Sequence, residues 1–104
     1  MAANKFTLAP CVEGELWVIW EYIGRHNPEA ADRVVEAAFE TFAALADTPA
    51  MGRDRKFRNP KLRGIRSWPV SRFNNYLIFY RITSHGIEVL HVYHGARNLE
   101  ALFE

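Results

Sequence analysis

Arginine and lysine side chains are concentrated in the second half of the sequence. Residues 53–104 carry ten basic and four acidic side chains, whereas residues 1–52 carry three basic and eight acidic ones. Guanidinium groups can bind a phosphate through two hydrogen bonds, and in a ribonuclease they could stabilise the charge at the cleaved phosphate. They could equally pair with acidic side chains of a bound protein, or only keep a connector in solution. The predicted partner-binding cations are Arg53, Arg55, Lys56, Arg58, Arg63, Arg66, Arg81 and Arg97.

Cleavage of RNA would also require a general acid and a general base. If the chain is a ribonuclease, we expect Arg81, His94 and Arg97 to be the catalytic residues. Otherwise no catalytic residue is expected. The sequence contains no G-x-S-x-G, H-E-x-x-H or Cys-x-x-Cys motif and no Gly-rich phosphate loop.

The histidines and the cysteine do not predict a metal site. His91 and His94 lie three residues apart on a predicted strand, so their side chains should point to opposite faces. Cys11 has no basic neighbour in sequence and is predicted to be a small residue at the start of a helix rather than a nucleophile. We therefore predict neither a metal nor a cofactor.

Two amphipathic helices are predicted in the first half of the chain. Apolar residues recur at helical spacing from Val12 to His26. Asn27 supplies an N-cap and Pro28 the first helical position of a second helix. A short break between two amphipathic helices implies an antiparallel hairpin. Trp17 lies beside the apolar stripe of the first helix, where it either packs in the core or forms an exposed anchor for a partner.

The other predicted elements are strands. The alternating segment 5–9 precedes the helices, and the segment 53–61 lacks periodicity and is predicted to be a cationic loop. The asparagine pair within 73–76 predicts a tight turn. Later strands are predicted at residues 65–70, 76–82 and 87–94, and the pattern allows a short terminal helix at 97–103. This order predicts an α+β domain with a helical hairpin packed on one face of a twisted, mostly antiparallel sheet. The other face would be open or covered by a partner.

Length and composition predict one globular domain in the cytoplasm. The chain has 104 residues, of which 49% are hydrophobic and 24% charged. Its apolar stretches are too short to span a membrane, and its first residues lack the layout of a signal peptide. A single cysteine excludes an internal disulfide framework.

Several segments, in this order and at these spacings, resemble the ParE branch of the RelE/ParE toxin superfamily, whose members are also described as plasmid stabilisation system proteins. The resemblance covers nearly the whole chain and implies the fold order β-α-α-β-β-β. The segments are Ile19–Ile23, Asn27–Arg33, Leu45–Arg53, Leu62–Arg63, Tyr80–Arg81 and Val92–Asn98.

The resemblance implies the toxin of a type II toxin-antitoxin system, which inhibits DNA gyrase and is neutralised by a cognate antitoxin. Related RelE-type ribonucleases cut messenger RNA on the ribosome and use an aromatic hydroxyl near the C-terminus. The corresponding position here is Phe103, which can stack on a partner but has no ionisable proton. His94 could replace that hydroxyl in principle, so a ribosome-dependent messenger RNA endonuclease stays the alternative. A non-toxic module that only binds antitoxin is a third interpretation.

Overall fold

A computed structural model describes residues 5–95 of the chain. In this range the predicted order of one strand, two helices and then strands is confirmed, with one additional short strand. The terminal helix that the pattern allows at residues 97–103 lies outside the described residues. The elements are β1 (Lys5–Leu8), α1 (Val12–Gly24), α2 (Pro28–Asp47), β2 (Arg53–Asp54), β3 (Ile65–Val70), β4 (Phe73–Thr83) and β5 (Gly86–His94).

The strands form one five-stranded sheet in the spatial order β1-β5-β4-β3-β2. Neighbouring strands from β2 to β5 run antiparallel, whereas β1 pairs with β5 in parallel, with Phe6 opposite Ile87 and Leu8 opposite Val89. Parallel neighbours need a crossover connection, and here all the chain between β1 and β5 forms it. The mostly antiparallel sheet is confirmed, and its first and last strands lie side by side.

Helix capping and apolar spacing explain the two helices. The Asn27 side chain accepts a hydrogen bond of 3.1 Å from the N–H of Ala30, and a proline occupies the first turn of α2. In α1 the buried residues Val12, Leu16 and Ile19 lie on one side of the helix. The helices pack against each other as the predicted hairpin. Neither described helix combines the length and apolar character needed to cross a membrane.

The main core lies between the helical hairpin and one face of the sheet, called here the helix face. Phe42 of α2 and Tyr80 of β4 are its largest fully buried side chains. Phe6 of β1 packs on Phe42 with ring centroids 5.5 Å apart. Val89 and Val92 of β5 complete this layer. The core therefore holds the first and last strands against the same helix pair.

A second apolar cluster covers part of the opposite face of the sheet, called here the second face. Ile65 and Phe79 are buried there beneath Leu62, and Phe57 packs against them. Both Phe57 and Leu62 come from the connector between β2 and β3. The prediction of a cationic loop at residues 53–61 was therefore wrong in part, because this segment begins as the strand β2 and the connector places apolar side chains on the sheet.

The hairpin between β3 and β4 turns at Ser71 and Arg72, and the predicted turn at residues 73–76 was wrong. Arg72 adopts a φ of +69°, and β4 begins directly after it at Phe73. The carbonyl of Asn75 accepts a hydrogen bond of 2.7 Å from the residue that follows β5. Backbone pairing with β5 thus overrides the local turn preference of the asparagines.

The hydroxyl of Tyr80 joins β4 to the segment that follows α2. It accepts a hydrogen bond of 2.8 Å from the N–H of Gly52 and donates one of 2.6 Å to the carbonyl of Pro49. Burial raises the pKa of Tyr80, although the Gly52 hydrogen bond and then the charge of Arg66 oppose this shift. A side chain at position 52 would overlap Tyr80 and lie 2.6 Å from a ring carbon, so glycine is required.

We expect Tyr80→Phe to lower the free energy of unfolding by about 1–3 kcal/mol, because the buried N–H of Gly52 and the part-buried carbonyl of Pro49 lose their hydrogen bonds to the hydroxyl. Urea unfolding followed by circular dichroism measures this loss. Tyr22→Phe is the matched control, since Tyr22 is 65% exposed, and it should change stability by less than about 0.5 kcal/mol. Equal stability of the two variants would contradict the role of the Tyr80 hydroxyl.

Candidate partner-binding surfaces

Three of the predicted cations come together on the second face of the sheet. Arg53 lies opposite Ser67, and Arg55 donates a hydrogen bond of 3.4 Å to the Ser67 hydroxyl. The Arg55 guanidinium also lies 5.9 Å from the ring centre of Phe79. Arg81, on the same face, donates to a carbonyl of the connector at 3.4 Å. Burial, and then the charge of Arg53, lower the pKa of Arg55, but an arginine remains protonated. We call Arg53, Arg55 and Arg81 the cationic face.

The other predicted cations are placed differently. Arg66 lies on the helix face of the sheet, where its guanidinium donates a hydrogen bond of 2.7 Å to the carbonyl of Gly52. It therefore holds the chain's own backbone. Arg97 lies outside the described residues, as does Phe103. Exposed on the connector are Lys56, Arg58 and Arg63.

Large apolar side chains are exposed along the outer side of α1. Trp17, Val18 and Tyr22 are 59%, 65% and 65% exposed. The Trp17 ring stacks on Trp20 with centroids 5.2 Å apart, and the Trp20 indole donates a hydrogen bond of 2.9 Å to Asp32. We call Trp17, Val18 and Tyr22 the α1 ridge. The structure thus places Trp17 at the surface, as the anchor interpretation requires, and exposed apolar groups of this kind are typical of interaction sites.

A groove borders the α1 ridge on each side. One groove, of about 850 Å³, lies between α1 and the ends of β4 and β5, with Tyr22, Tyr76 and His94 in its wall. Burial, and secondarily Tyr22, raise the pKa of Tyr76. The other groove, of about 640 Å³, lies between the two helices and includes Trp17 and Val35. Both are large enough to accept apolar side chains of a bound segment.

Arg81 and His94, two of the residues expected in a ribonuclease, lie far apart. In the strand register Arg81 lies opposite Glu88 on the second face, whereas His94 lies opposite Tyr76 on the helix face. The His94 ring meets Tyr76 edge-on, with centroids 5.4 Å apart. Tyr76, the β4 residue opposite His94, and Arg81 are five positions apart along the strand, which is about 17 Å at about 3.4 Å per position. The structure therefore does not bring Arg81 and His94 to one phosphate.

Cys11, Glu15 and His91 meet where α1 begins beside β5. β1 ends before this point, so side chains of α1 bind the edge of β5 instead. One Glu15 oxygen accepts a hydrogen bond of 2.9 Å from the N–H of Val92, and the other lies 2.6 Å from Nδ1 of His91. The Cys11 thiol donates to the carbonyl of Leu90 at 3.3 Å, and its sulfur lies 3.5 Å from the same Nδ1.

Sequence reasoning missed this cluster. Cys11 and Glu15 are one helical turn apart and so share a side of α1, but His91 lies 76 positions beyond Glu15 and only the sheet brings it close. Burial, followed by the charge of Glu15, raises the pKa of Cys11, as expected for a thiol that is not an activated nucleophile. In the strand register His91 lies opposite Phe79 of the second face, whereas His94 lies opposite Tyr76 of the helix face, so the two histidines belong to opposite faces of the sheet.

Comparisons with known proteins give three findings. A family model described as "ParE toxin of type II toxin-antitoxin system, parDE" matches residues 7–99. Among solved structures, the chain is similar to one described as "Chromosomal ParDE TA system from P. aeruginosa", with a TM-score of 0.70 and 19% identity over 86% of this chain and 94% of that chain. No curated protein matches the chain at a significant level. The structural similarity supports the fold, and the family match spans both helices and all of β2 to β5.

Proposed function

Because this chain belongs to the ParE toxin family of type II toxin-antitoxin systems, we propose that it inhibits DNA gyrase by protein contact and that a cognate antitoxin neutralises it. On this proposal the chain carries out no covalent chemistry of its own and acts in the cytoplasm. The observation that carries the proposal is the exposed α1 ridge, since clustered aromatic and apolar side chains provide most of the binding energy of protein interfaces. Gyrase as the target rests on the family.

The antitoxin is proposed to cover the α1 ridge and to reach the cationic face. The two grooves beside α1 can take apolar side chains, and Arg53 and Arg55 can pair with acidic ones. Such charge pairing favours a segment that is apolar in one part and acidic in another. The similar solved structure is described as a ParDE system, which supports an antitoxin partner for this chain.

Gyrase inhibition is better supported than cleavage of messenger RNA. A general base and a phosphate-binding cation must reach the same reacting group within hydrogen-bonding distance. Arg81 and His94 lie on opposite faces of the sheet. The predicted pair of Arg81 and His94 therefore does not form a ribonuclease centre. Arg97 and Phe103, which lie outside them, stay predicted partner-binding residues.

Two assays with the purified full-length protein test the proposal. Gyrase supercoiling and DNA-cleavage reactions are run beside an assay for messenger RNA cleavage in the ribosomal A site. We expect inhibition of gyrase and intact messenger RNA, with relief of inhibition on adding the cognate antitoxin. Cleavage of messenger RNA without an effect on gyrase would overturn the proposal. Activity in neither assay would indicate a module that only binds antitoxin.

Charge reversal on the connector should weaken inhibition of gyrase. Arg63 is exposed on the connector, two residues after Lys61, whose carbonyl accepts a hydrogen bond from Arg81 of the cationic face. Arg63→Glu is therefore expected to raise the inhibitory concentration about tenfold, which corresponds to about 1.4 kcal/mol. The supercoiling assay measures this change. Arg33→Glu is the matched control, because Arg33 is an exposed cation of α2 whose side chain is 58% accessible. If both substitutions weakened gyrase inhibition equally, the cause would be the change in net charge rather than the loss of a contact at Arg63.

A further inference from the structure

The cluster of Cys11, Glu15 and His91 contains the three donor types that commonly bind zinc: a thiol, a carboxylate and an imidazole. Their ligand atoms all lie within 4.8 Å of one another. In a tetrahedral site with zinc-ligand distances of about 2.0–2.3 Å, neighbouring ligand atoms are about 3.5 Å apart. The distance from the Cys11 sulfur to Nδ1 of His91 is 3.5 Å. We propose that these three side chains form a Zn²⁺ site.

Small movements would complete the geometry. The Glu15 oxygen and Nδ1 of His91 are 2.6 Å apart, so they would separate by about 1 Å to admit the ion. The second Glu15 oxygen is already held at 2.9 Å by the N–H of Val92, and outer hydrogen bonds of this type orient metal ligands. The thiol proton now shared with the carbonyl of Leu90 would be released when the sulfur binds the metal.

The position of the cluster determines what the metal would do. Cys11 and Glu15 belong to the start of α1 and also line the groove beside the α1 ridge, whereas His91 belongs to β5. Three protein ligands leave one tetrahedral position, which a water or a side chain of a partner can occupy. Bound zinc would therefore fasten α1 to the edge of β5. This inference does not depend on the cellular target of the toxin.

Metal binding can be measured directly with untagged, metal-free, full-length protein. Titration with Zn²⁺ in a calorimeter should show one saturable site. At a free Zn²⁺ concentration 100-fold above Kd, Tm should rise by roughly 10 °C, because the ion binds the folded chain. Titration with Co²⁺ should produce a thiolate-to-cobalt charge-transfer band. Absence of saturable Zn²⁺ binding, or a cobalt complex without that band, would overturn the proposal.

Two substitutions test the ligands individually. Cys11→Ser removes the sulfur, and Glu15→Gln keeps an oxygen that can accept the Val92 hydrogen bond. Each should weaken Zn²⁺ binding by more than about 100-fold, since even changes outside the first ligand shell cost about 10–100-fold. The control is His85→Ala, at an exposed turn before β5, which should bind as the wild type does. Unchanged affinity in Cys11→Ser, or weakened binding in His85→Ala, would exclude this set of ligands.

Discussion

Replacing Gly86 with alanine is expected to lower the free energy of unfolding by roughly 3 kcal/mol or more. Gly86 opens β5 with a φ of +145°, which side chains of L-amino acids rarely adopt. A methyl group there would overlap the carbonyl oxygen of Lys5 and lie 2.8 Å from the backbone nitrogen of the same residue. Lys5 is the residue of β1 that pairs with Gly86, so relief of the overlap requires β1 to leave the sheet edge.

Alanine substitutions at two other glycines distinguish the cost of backbone strain from the cost of steric overlap. Gly64 has a φ of +82°, but a methyl group there meets nothing within 4 Å, so Gly64→Ala should cost only about 1 kcal/mol. Gly14 lies in α1, also with nothing within 4 Å, so Gly14→Ala should stabilise the protein by about 0.5–1 kcal/mol. Urea and thermal unfolding give the three values. If Gly86→Ala were no worse than Gly64→Ala, the overlap with β1 would not limit stability.

The sequence predicted the helices and most strands because their signals are local. The Asn27 cap was read directly from neighbouring residues, and the structure confirms its hydrogen bond. The parallel pairing of β1 with β5 was not predicted, since it joins residues about 80 positions apart and depends on the packing of both strands against α2. β2 has only two residues, too few for any alternation to appear.

The candidate surfaces were predictable to different degrees. Exposed Trp17 was one of two stated interpretations, and the structure selects it because the stripe of buried residues in α1 passes beside it. The cations were recognised as a group, but sequence could not tell that Arg66 faces the helix side while Arg55 faces the other. Strand register decides this, since adjacent residues in a strand point to opposite faces. The contact between Cys11 and His91 likewise depends on tertiary structure alone.

An acidic side chain in the α1 ridge should weaken antitoxin binding by about 30-fold or more. Val18 is 65% exposed and lines the groove between α1 and β5. Under the proposed interface an aspartate at this position would be buried without a partner, and central interface residues cost about 2 kcal/mol or more when replaced. The fold should tolerate Val18→Asp, because in the unbound chain the carboxylate faces water. Calorimetric titration with the cognate antitoxin measures the affinity.

Trp17→Ala tests the same surface without adding charge, and it should also weaken binding by at least about 30-fold, because tryptophan anchors dominate many interfaces. Ala43→Asp is the matched control, since Ala43 is an exposed residue of α2 that lines neither groove beside the ridge, and it should bind as the wild type does. If Val18→Asp and Trp17→Ala bound the antitoxin at wild-type strength, the ridge would not be the antitoxin surface. If these variants lost antitoxin binding but still inhibited gyrase, the surface that contacts gyrase would lie elsewhere on the chain. The variants would then be toxins that the antitoxin no longer neutralises.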